Sequence, residues 1–419
     1  MTIVTSRLDI GGAERHLARV LPALKQRGTD ITLYAMERGG PLEAELQAQG
    51  VRLDGPPRAA FLHWPRATVA LARFLKRERP TIIHFFLPRP YLYGSIAAEL
   101  AGHRRRLMSR RSLTVYREKY PLLRGFELLL HRRTHGLIGN SRAVVDQLAT
   151  EVSDPRKIAL IHNGIDLPPP TTAADRERIR QLLDIPKDAL VIAVIANLVS
   201  YKGHRDLLDA LALVKEPMPK EQMPKPWLVL AIGRDDGMGA ELKRHAAARN
   251  LASNIRWLGE RPAADQLLAA GDIFVLPSHQ EGFSNALLEA MAANLAVIAT
   301  AVGGNLDAIV DNESGILVPP RDPSALAAAL ARLASDPDIR RRYGDAARRR
   351  VEQRFALERC VDRYERLYRA MCEPDPRPLA EILADDGGVS VRRPLEHDPE
   401  KRKTMSSREM SIQPKIISL

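Results

Sequence analysis

What most constrains this chain is an alternation that runs twice. In the first half, the strand-length apolar runs ITLYAM, TIIHFF, GLIGN and KIALI are separated by GAERHLARVLPALKQRG, ATVALARFLKRE and AVVDQLATEV, whose apolar residues recur at helical spacing. A strand–helix–strand–helix order calls for a parallel sheet covered on both faces. Gly28 is placed to end the first helix. Pro168, Pro169 and Pro170 then break both patterns and mark a linker, because proline cannot sit inside a helix or a central strand. Beyond them ALVIAVIANL, PWLVLAIG, NIRWLG, DIFVLP, AVIAT and GILVPP read as buried strands, with helices near 203–215, 239–249, 264–270, 285–293 and 323–335 between them. The expectation is two doubly wound α/β domains, at 1–167 and 168–355.

The segment RRYGDAARRRVEQRFALERCVDRYERLYRAM reads as one or two amphipathic helices, with Phe355, Val361, Tyr364 and Tyr368 on one stripe. From about residue 373 onward the periodicity lapses, and 373–419 is expected to be a disordered tail. The first strand, MTIVT, leaves about four residues before a glycine loop, short against a mean of roughly five or six.

No apolar run approaches the roughly 20 residues a membrane span needs, and MTIVTSRLDIGG lacks the basic-then-apolar layout of a secretory signal. A cytoplasmic protein is expected. Cys360 and Cys372, if on one helix, stand roughly 18 Å apart, too far for a disulfide. No Cys/His zinc pattern is present. The net charge is +12, and the stretch from His103 to Arg133 alone carries ten Lys or Arg against two Glu. Such a stretch is either a solvated basic surface or an attractor of phosphates, anionic lipid head groups and acidic glycans. Nucleic acid is not expected, because no recognition motif accompanies the charge and aromatics are only 5%.

Open parallel sheets bind ligands outside the carboxyl ends of their strands, so the segments just after each apolar run matter most. LDIGGAER places Gly11 and Gly12 at the start of a helix, where backbone N–H groups favour anions or the glycines merely make a turn. LVSYKGH places Lys202 before another helix, as a phosphate contact or an ordinary exposed lysine. RDDGMG follows PWLVLAIG; Asp235 and Asp236 in a glycine-rich turn, and Asp336 and Asp338 between two helices, are poor metal candidates, and no metal is expected. SHQEGFSNALLEAMAA follows DIFVLP, with Gly282 in the loop, Ser284 or Asn285 as N-cap, Glu281 before the helix and Glu289 one turn into it. A buried carboxylate there needs hydroxyl or amide partners; sugar hydroxyls would serve, as would the helix's own start or water. AVGGN opens a further short helix. A rim of such loops in one domain suggests a nucleotide diphosphate site.

These motifs resemble the retaining glycosyltransferases of family 4. The resemblance extends to about residue 372. Its most specific part is Glu281-x7-Glu289 within EGFSNALLEAMA, followed by ATAVGGN and IVDNESGILVPP, with SRLDIGGAER, NSRAV, HNGID and NLVSYKGH in the same order. The resemblance implies the GT-B fold, two Rossmann-like domains facing a central cleft, the first binding acceptor and the second binding nucleotide sugar. It implies a last helix, 356–372, crossing back onto the first domain. Gly11 and Gly12 would face the donor phosphate and acceptor, Lys202 would neutralise the diphosphate, Glu281 would touch the donor sugar, and Glu289 the ribose hydroxyls. Gly282 and the backbone of Phe283, Ser284 and Asn285 would bind sugar or phosphate, with Gly233 and Arg234 at the neighbouring strand end.

Two departures stand out. Asn197 occupies a position where the family often has arginine, so Arg234 is a candidate to supply that phosphate contact. Phe86 occupies the second position of a frequent HxH, leaving His84 as a packed strand-end residue or an acceptor contact. Arg110 and Arg111 follow the next strand and are candidates to reach an anionic acceptor. The activity implied is hexosyl transfer from a nucleotide diphosphate sugar to a glycan or lipid-linked acceptor, retaining, without metal or other cofactor, in cell-envelope polysaccharide synthesis. A peripheral position at an anionic inner membrane face would suit the basic stretch. The alternatives are a nucleotide-sugar 2-epimerase of the same fold, a phosphorylase that would hold a cofactor as a lysine Schiff base, and a non-catalytic glycan-binding relative.

Overall fold

The computed structural model describes residues 1–57, 63–113, 121–215 and 226–384. Among these, thirteen strands form two wholly parallel sheets. The first holds β1 (Thr2–Thr5), β2 (Thr32–Ala35), β3 (Arg52–Asp54), β4 (Ile83–Phe86), β5 (Arg106–Arg110), β6 (Gly136–Gly139) and β7 (Ile158–Leu160), in the order β3-β2-β1-β4-β5-β6-β7. The second holds β8 (Leu190–Ile195), β9 (Trp227–Ile232), β10 (Ile255–Gly259), β11 (Ile273–Leu276), β12 (Ala296–Thr300) and β13 (Ile316–Val318), in the order β10-β9-β8-β11-β12-β13. Each order reverses once, between β1 and β4 and between β8 and β11. Such a reversal parts the flanking loops and opens a crevice at the strand ends. The fold is GT-B: two doubly wound domains joined through Pro168–Pro170.

The strands form where the chain offers continuous apolar runs, because both sheet faces are covered. β8 (LVIAVI) and β9 (WLVLAI) are buried almost throughout. β3 escapes a periodicity search because RLD is polar and half exposed, as an edge strand allows. β1 is no shorter than β2, β4 or β6, which also have four residues. The helix Gly12–Gln26 ends as expected, with Gly28 at φ +85° and its N–H donated to the Lys25 carbonyl. The stretch 264–270, expected as a helix, is a 3₁₀ segment.

The helix Leu357–Cys372 belongs structurally to the first domain. Cys360, Val361, Tyr364, Leu367, Tyr368 and Met371 share one core cluster with Ile3, Leu17, Leu21 and Leu24. The two chain crossings run side by side, with Ile165 and Ala356 forming a parallel bridge. Order extends past residue 373, where the tail was expected to begin. Leu379–Ile382 is a short helix, and Leu379, Ile382 and Leu383 are nearly fully buried in that same cluster. Gly136 makes room for it, since a Cβ there would lie 2.2 Å from a Leu379 methyl. The remainder of the tail, 385–419, lies outside the described residues.

The basic stretch is less of a surface than its composition implies. Arg106, Arg110 and Arg111 are buried, and 114–120 lie outside the described residues. Among the described residues no helix is long and apolar enough to cross a membrane.

Candidate active site

Loops at the carboxyl ends of β1, β4 and β5 face loops following β8 and β11. Between them lies a cavity of about 480 Å³, lined by Gly12, Ala13, Glu14, Leu87, Arg111, Asn140, Asn163, Tyr201, Lys202 and Glu281–Phe283, among others. Its floor from the second domain is an ion pair. The Lys202 ammonium donates to Glu281 Oε1 at 2.6 Å, and Ser278 Oγ donates to the same oxygen at 2.8 Å. Both side chains are mostly buried, 18% and 8% exposed. Burial works against the Lys202 charge, but the adjacent Glu281 carboxylate outweighs it and raises the pKa above the ordinary lysine value. Lys202 therefore stays charged at neutral pH, paired with the Glu281 carboxylate.

Glu281 is held by glycine. Gly303, at φ +48°, lies so close that a Cβ would sit 1.7 Å from the Glu281 carbonyl oxygen. The Gly304 N–H donates to the Gly282 carbonyl at 3.0 Å, tying the AVGGN loop to the EGFSN loop. Ser284 is the N-cap of the helix Asn285–Ala292, its Oγ accepting the Leu287 N–H. The positive end of that helix borders the cavity, where it favours an anion.

The first domain contributes a helix face. Gly12, Arg15 and Arg19 share one side of Gly12–Gln26, at i, i+3 and i+7. All three touch the second domain. Asn285 Nδ2 donates to the Gly12 carbonyl at 3.1 Å, Arg15 to the Pro262 carbonyl at 3.4 Å, and Arg19 to Glu289 Oε1 at 2.6 Å. Asn163, just before the linker, donates to the Phe283 carbonyl at 3.1 Å and to Asn285 Oδ1 at 2.6 Å, and accepts from Arg111. Burial raises the Glu14 carboxyl above its ordinary value. Leu87 turns the chain from β4 into a helix at φ +77°, a conformation uncommon for a bulky residue, and lines the cavity.

Of the residues singled out in the sequence, Gly12, Lys202, Glu281, Gly282, Phe283 and Arg111 line one cavity. Gly11 is the N-cap just outside it, and Ser284 and Asn285 adjoin it. Glu289 lies beyond it, held by Arg19, with a side chain 9% exposed. Asn197, Gly233 and Arg234 lie at the ends of β8 and β9, also outside it. Asn197 donates to Asp236 at 3.0 Å and accepts the Arg234 N–H, and the Arg234 guanidinium pairs with Asp236 at 2.7 Å. Asp235 caps its own loop, accepting N–H groups from Gly237 and Gly239.

Two acceptor candidates are corrected. His84 is fully buried, with Nδ1 2.8 Å from the Tyr368 hydroxyl and Nε2 2.9 Å from Ser109 Oγ, so it fixes the crossing helix rather than facing the cavity. Arg110 is 1% exposed and paired with Glu127 at 2.8 Å and Glu151 at 2.7 Å. Side chains alternate along β5, so Arg110 turns into the domain while Arg111 emerges beyond the strand end. The sequence motifs assign no role to Asn163, Arg19, Glu14 or Ser278. Asn163 stood in view in HNGID, and Arg19 was findable from its helical spacing with Gly12.

Burial lowers the His84 pKa to about 3 and that of the fully buried His16 well below the ordinary value. Only the unfolded chain takes up these protons as pH falls below about 6.5. The stabilisation is therefore complete above that value and is lost on acidification toward 3. Going from pH 7 to 5 should cost roughly 2 kcal/mol for His84, and His16 adds a cost of the same sign. Urea unfolding at both pH values checks this: His84→Gln should show a shallower pH dependence than the parent, and equal slopes would contradict it.

Two family models match consecutive parts of the chain: "Glycosyltransferase Family 4" over residues 10–168 and "Glycosyl transferases group 1" over residues 175–350. The D-inositol 3-phosphate glycosyltransferase of Geodermatophilus obscurus is 34% identical over 248 residues, covering 57% of this chain and 53% of that one. The protein of the same name from Streptomyces avermitilis is 32% identical over 224 residues, covering 52% and 48%. The chain thus matches about half the length of these curated relatives. Among solved structures, Anabaena HepE in complex with UDP superposes with a TM-score of 0.77 at 19% identity, covering 88% of this chain and 99% of that one.

Proposed function

This chain belongs to the family 4 glycosyltransferases, and we propose that it moves a hexose from a nucleotide diphosphate sugar to an acceptor hydroxyl with retention at the anomeric carbon. The observation that carries the reading is the buried Lys202–Glu281 pair beside the start of the helix Asn285–Ala292, facing Gly12 across the cavity. As the bond from the anomeric carbon to the diphosphate breaks, negative charge grows on the leaving oxygens. Lys202 and the helix N-terminus oppose it with a charge and dipoles already in place, so little reorganisation is needed. Glu281, oriented by Ser278 and Lys202, holds the sugar hydroxyls. The acceptor oxygen attacks the face the diphosphate leaves, and its proton passes to the departing phosphate. No step in this reading is routed through a metal. In this reading Glu289 exchanges Arg19 for the ribose hydroxyls, and Asn197 and Arg234 contact the nucleotide.

UDP is the favoured carrier, since HepE is solved with UDP and with UDP-glucose. Arg111 in the cavity wall suits an acceptor bearing an anionic group, and the inositol-phosphate named for the relatives is of that class. The exposed Arg124, Arg132 and Arg133, with Phe126 and Leu129 at 37% and 46% exposed, support docking on an anionic membrane surface. Flotation with anionic liposomes tests that step, and failure to float removes it. None of the relatives named above is an epimerase, and product analysis without acceptor separates that reaction from transfer.

Unfolding monitored with UDP-, GDP- and ADP-sugars tests the donor. A ligand bound only by the folded state adds roughly 2.7 kcal/mol at 100 times its Kd. UDP-sugars should raise the midpoint, and no rise with any of the three would remove the nucleotide-sugar reading.

A further inference from the structure

A second cavity, of about 550 Å³, lies between the crossing helix Leu357–Cys372 and the end of the helix Pro337–Arg354, and shares only Asn163 with the first. Among the described residues its wall carries seven arginines against three carboxylates. The arginines come from every element that meets there: Arg142 from the first domain, Arg350 and Arg354 from the second, and Arg359, Arg363, Arg366 and Arg369 from the crossing helix. Some are engaged. Arg350 donates to the Asp307 and Ala308 carbonyls, Arg363 to the Leu160 carbonyl and Arg366 to the Ile382 carbonyl. The carbonyl partners of Arg350 accept hydrogen bonds but carry no full negative charge. Arg369 pairs with Glu365, and Asp307 serves both Arg142 and His162. Arg354 and Arg359 are exposed and make no hydrogen bond or ion pair with any described residue. Burial lowers the Arg350 pKa, and the charges of Arg354 and Arg142 push the same way, as expected where cations crowd together.

We propose that this cavity is a binding site for a multiply charged phosphate group, separate from the donor site and gripped from both domains at their crossing. Guanidinium forks match phosphate oxygens in pairs, and the concave wall concentrates the field of several arginines on one ligand. The phosphate belongs either to a free oligophosphate or to a phospholipid head group. Because the arginines stand on both sides of the paired crossings at Ile165 and Ala356, the bound anion ties the two domains together there.

Calorimetric titration of the full chain with inorganic tripolyphosphate, and co-sedimentation with phosphatidylglycerol against phosphatidylcholine vesicles, test the site. The wild type should bind at least one probe. Arg354→Gln with Arg359→Gln should weaken one component of that binding by about tenfold or more, and Lys202→Ala, which alters only the donor site, should leave that component unchanged. Both arginines are exposed and without partners among the described residues, so the double variant should fold as the parent. A vesicle-only response assigns the phosphate to lipid, and a tripolyphosphate-only response assigns it to a soluble ligand. Unchanged affinity in the double variant, loss only in Lys202→Ala, or no binding of either probe overturns the proposal.

Discussion

Replacing Lys202 by Ala should slow sugar transfer by roughly 10²–10³-fold, the usual loss when one preorganised charge-stabilising donor is removed. The same substitution strands Glu281, whose side chain is only 8% exposed and would keep Ser278 as its remaining partner. Breaking one side of such a pair also costs stability, so activity alone would not separate a structural ion pair from a chemical one. The double variant Lys202→Met with Glu281→Gln makes the distinction. It removes both charges, should recover most of the lost melting temperature, and should remain as slow as the single variant. If transfer returns together with stability, the pair is only a support for the EGFSN loop. Near-normal turnover in Lys202→Ala would remove the lysine from the mechanism altogether.

Gly303→Ala should be nearly as damaging without touching a functional group. A non-glycine residue at φ +48° costs about 1–2 kcal/mol by itself. The added carbon would also stand 1.7 Å from the Glu281 carbonyl, and the EGFSN backbone must move to admit it. A misplacement of about 1 Å in a positioning element can cost 10²-fold in rate. We expect a melting temperature somewhat lowered and transfer reduced by about that factor, with Lys202 and Glu281 both present. Gly125→Ala is the matched control: it lies in the exposed part of the helix Pro121–Arg132, with open space around its Cβ position, and should be neutral or slightly stabilising. Equal activity of the two variants would show that the Glu281 backbone tolerates displacement.

The architecture was legible because parallel sheets buried on both faces demand continuous apolar runs. β8, β9, β11 and β12 could be read directly for that reason. β3 could not, being a polar edge. Half of the site was legible too, since anion-binding loops need glycine and a following helix at strand ends, and Gly12, Lys202 and Glu281 meet in space as those positions suggest. What stayed hidden depends on the direction a side chain takes. Nothing in SRRSL tells which of Arg110 and Arg111 turns inward; the β5 pleat decides it. Nothing near His84 reveals Tyr368, because the partner arrives from 284 residues away. Glu289 was assigned from a motif in one domain, while its contact, Arg19, comes from the other. The apolar trio Leu379, Ile382 and Leu383 was too short to stand out against a polar tail, and only its docking beside Gly136 makes it structure.

The crossing helix also sets the order in which the chain can mature on the ribosome. The core around β1 is finished by Leu367, Met371, Leu379 and Ile382, which are synthesised more than two hundred residues after the domain they complete. At translation speeds of about 5–20 residues per second, that is a wait of roughly 10–40 s. The second domain, whose strands β8–β13 are contiguous in sequence, has no such dependence. The domain made first is therefore the one sealed last, and until then it carries an open apolar seam along Leu17, Leu21 and Leu24 for chaperones to cover.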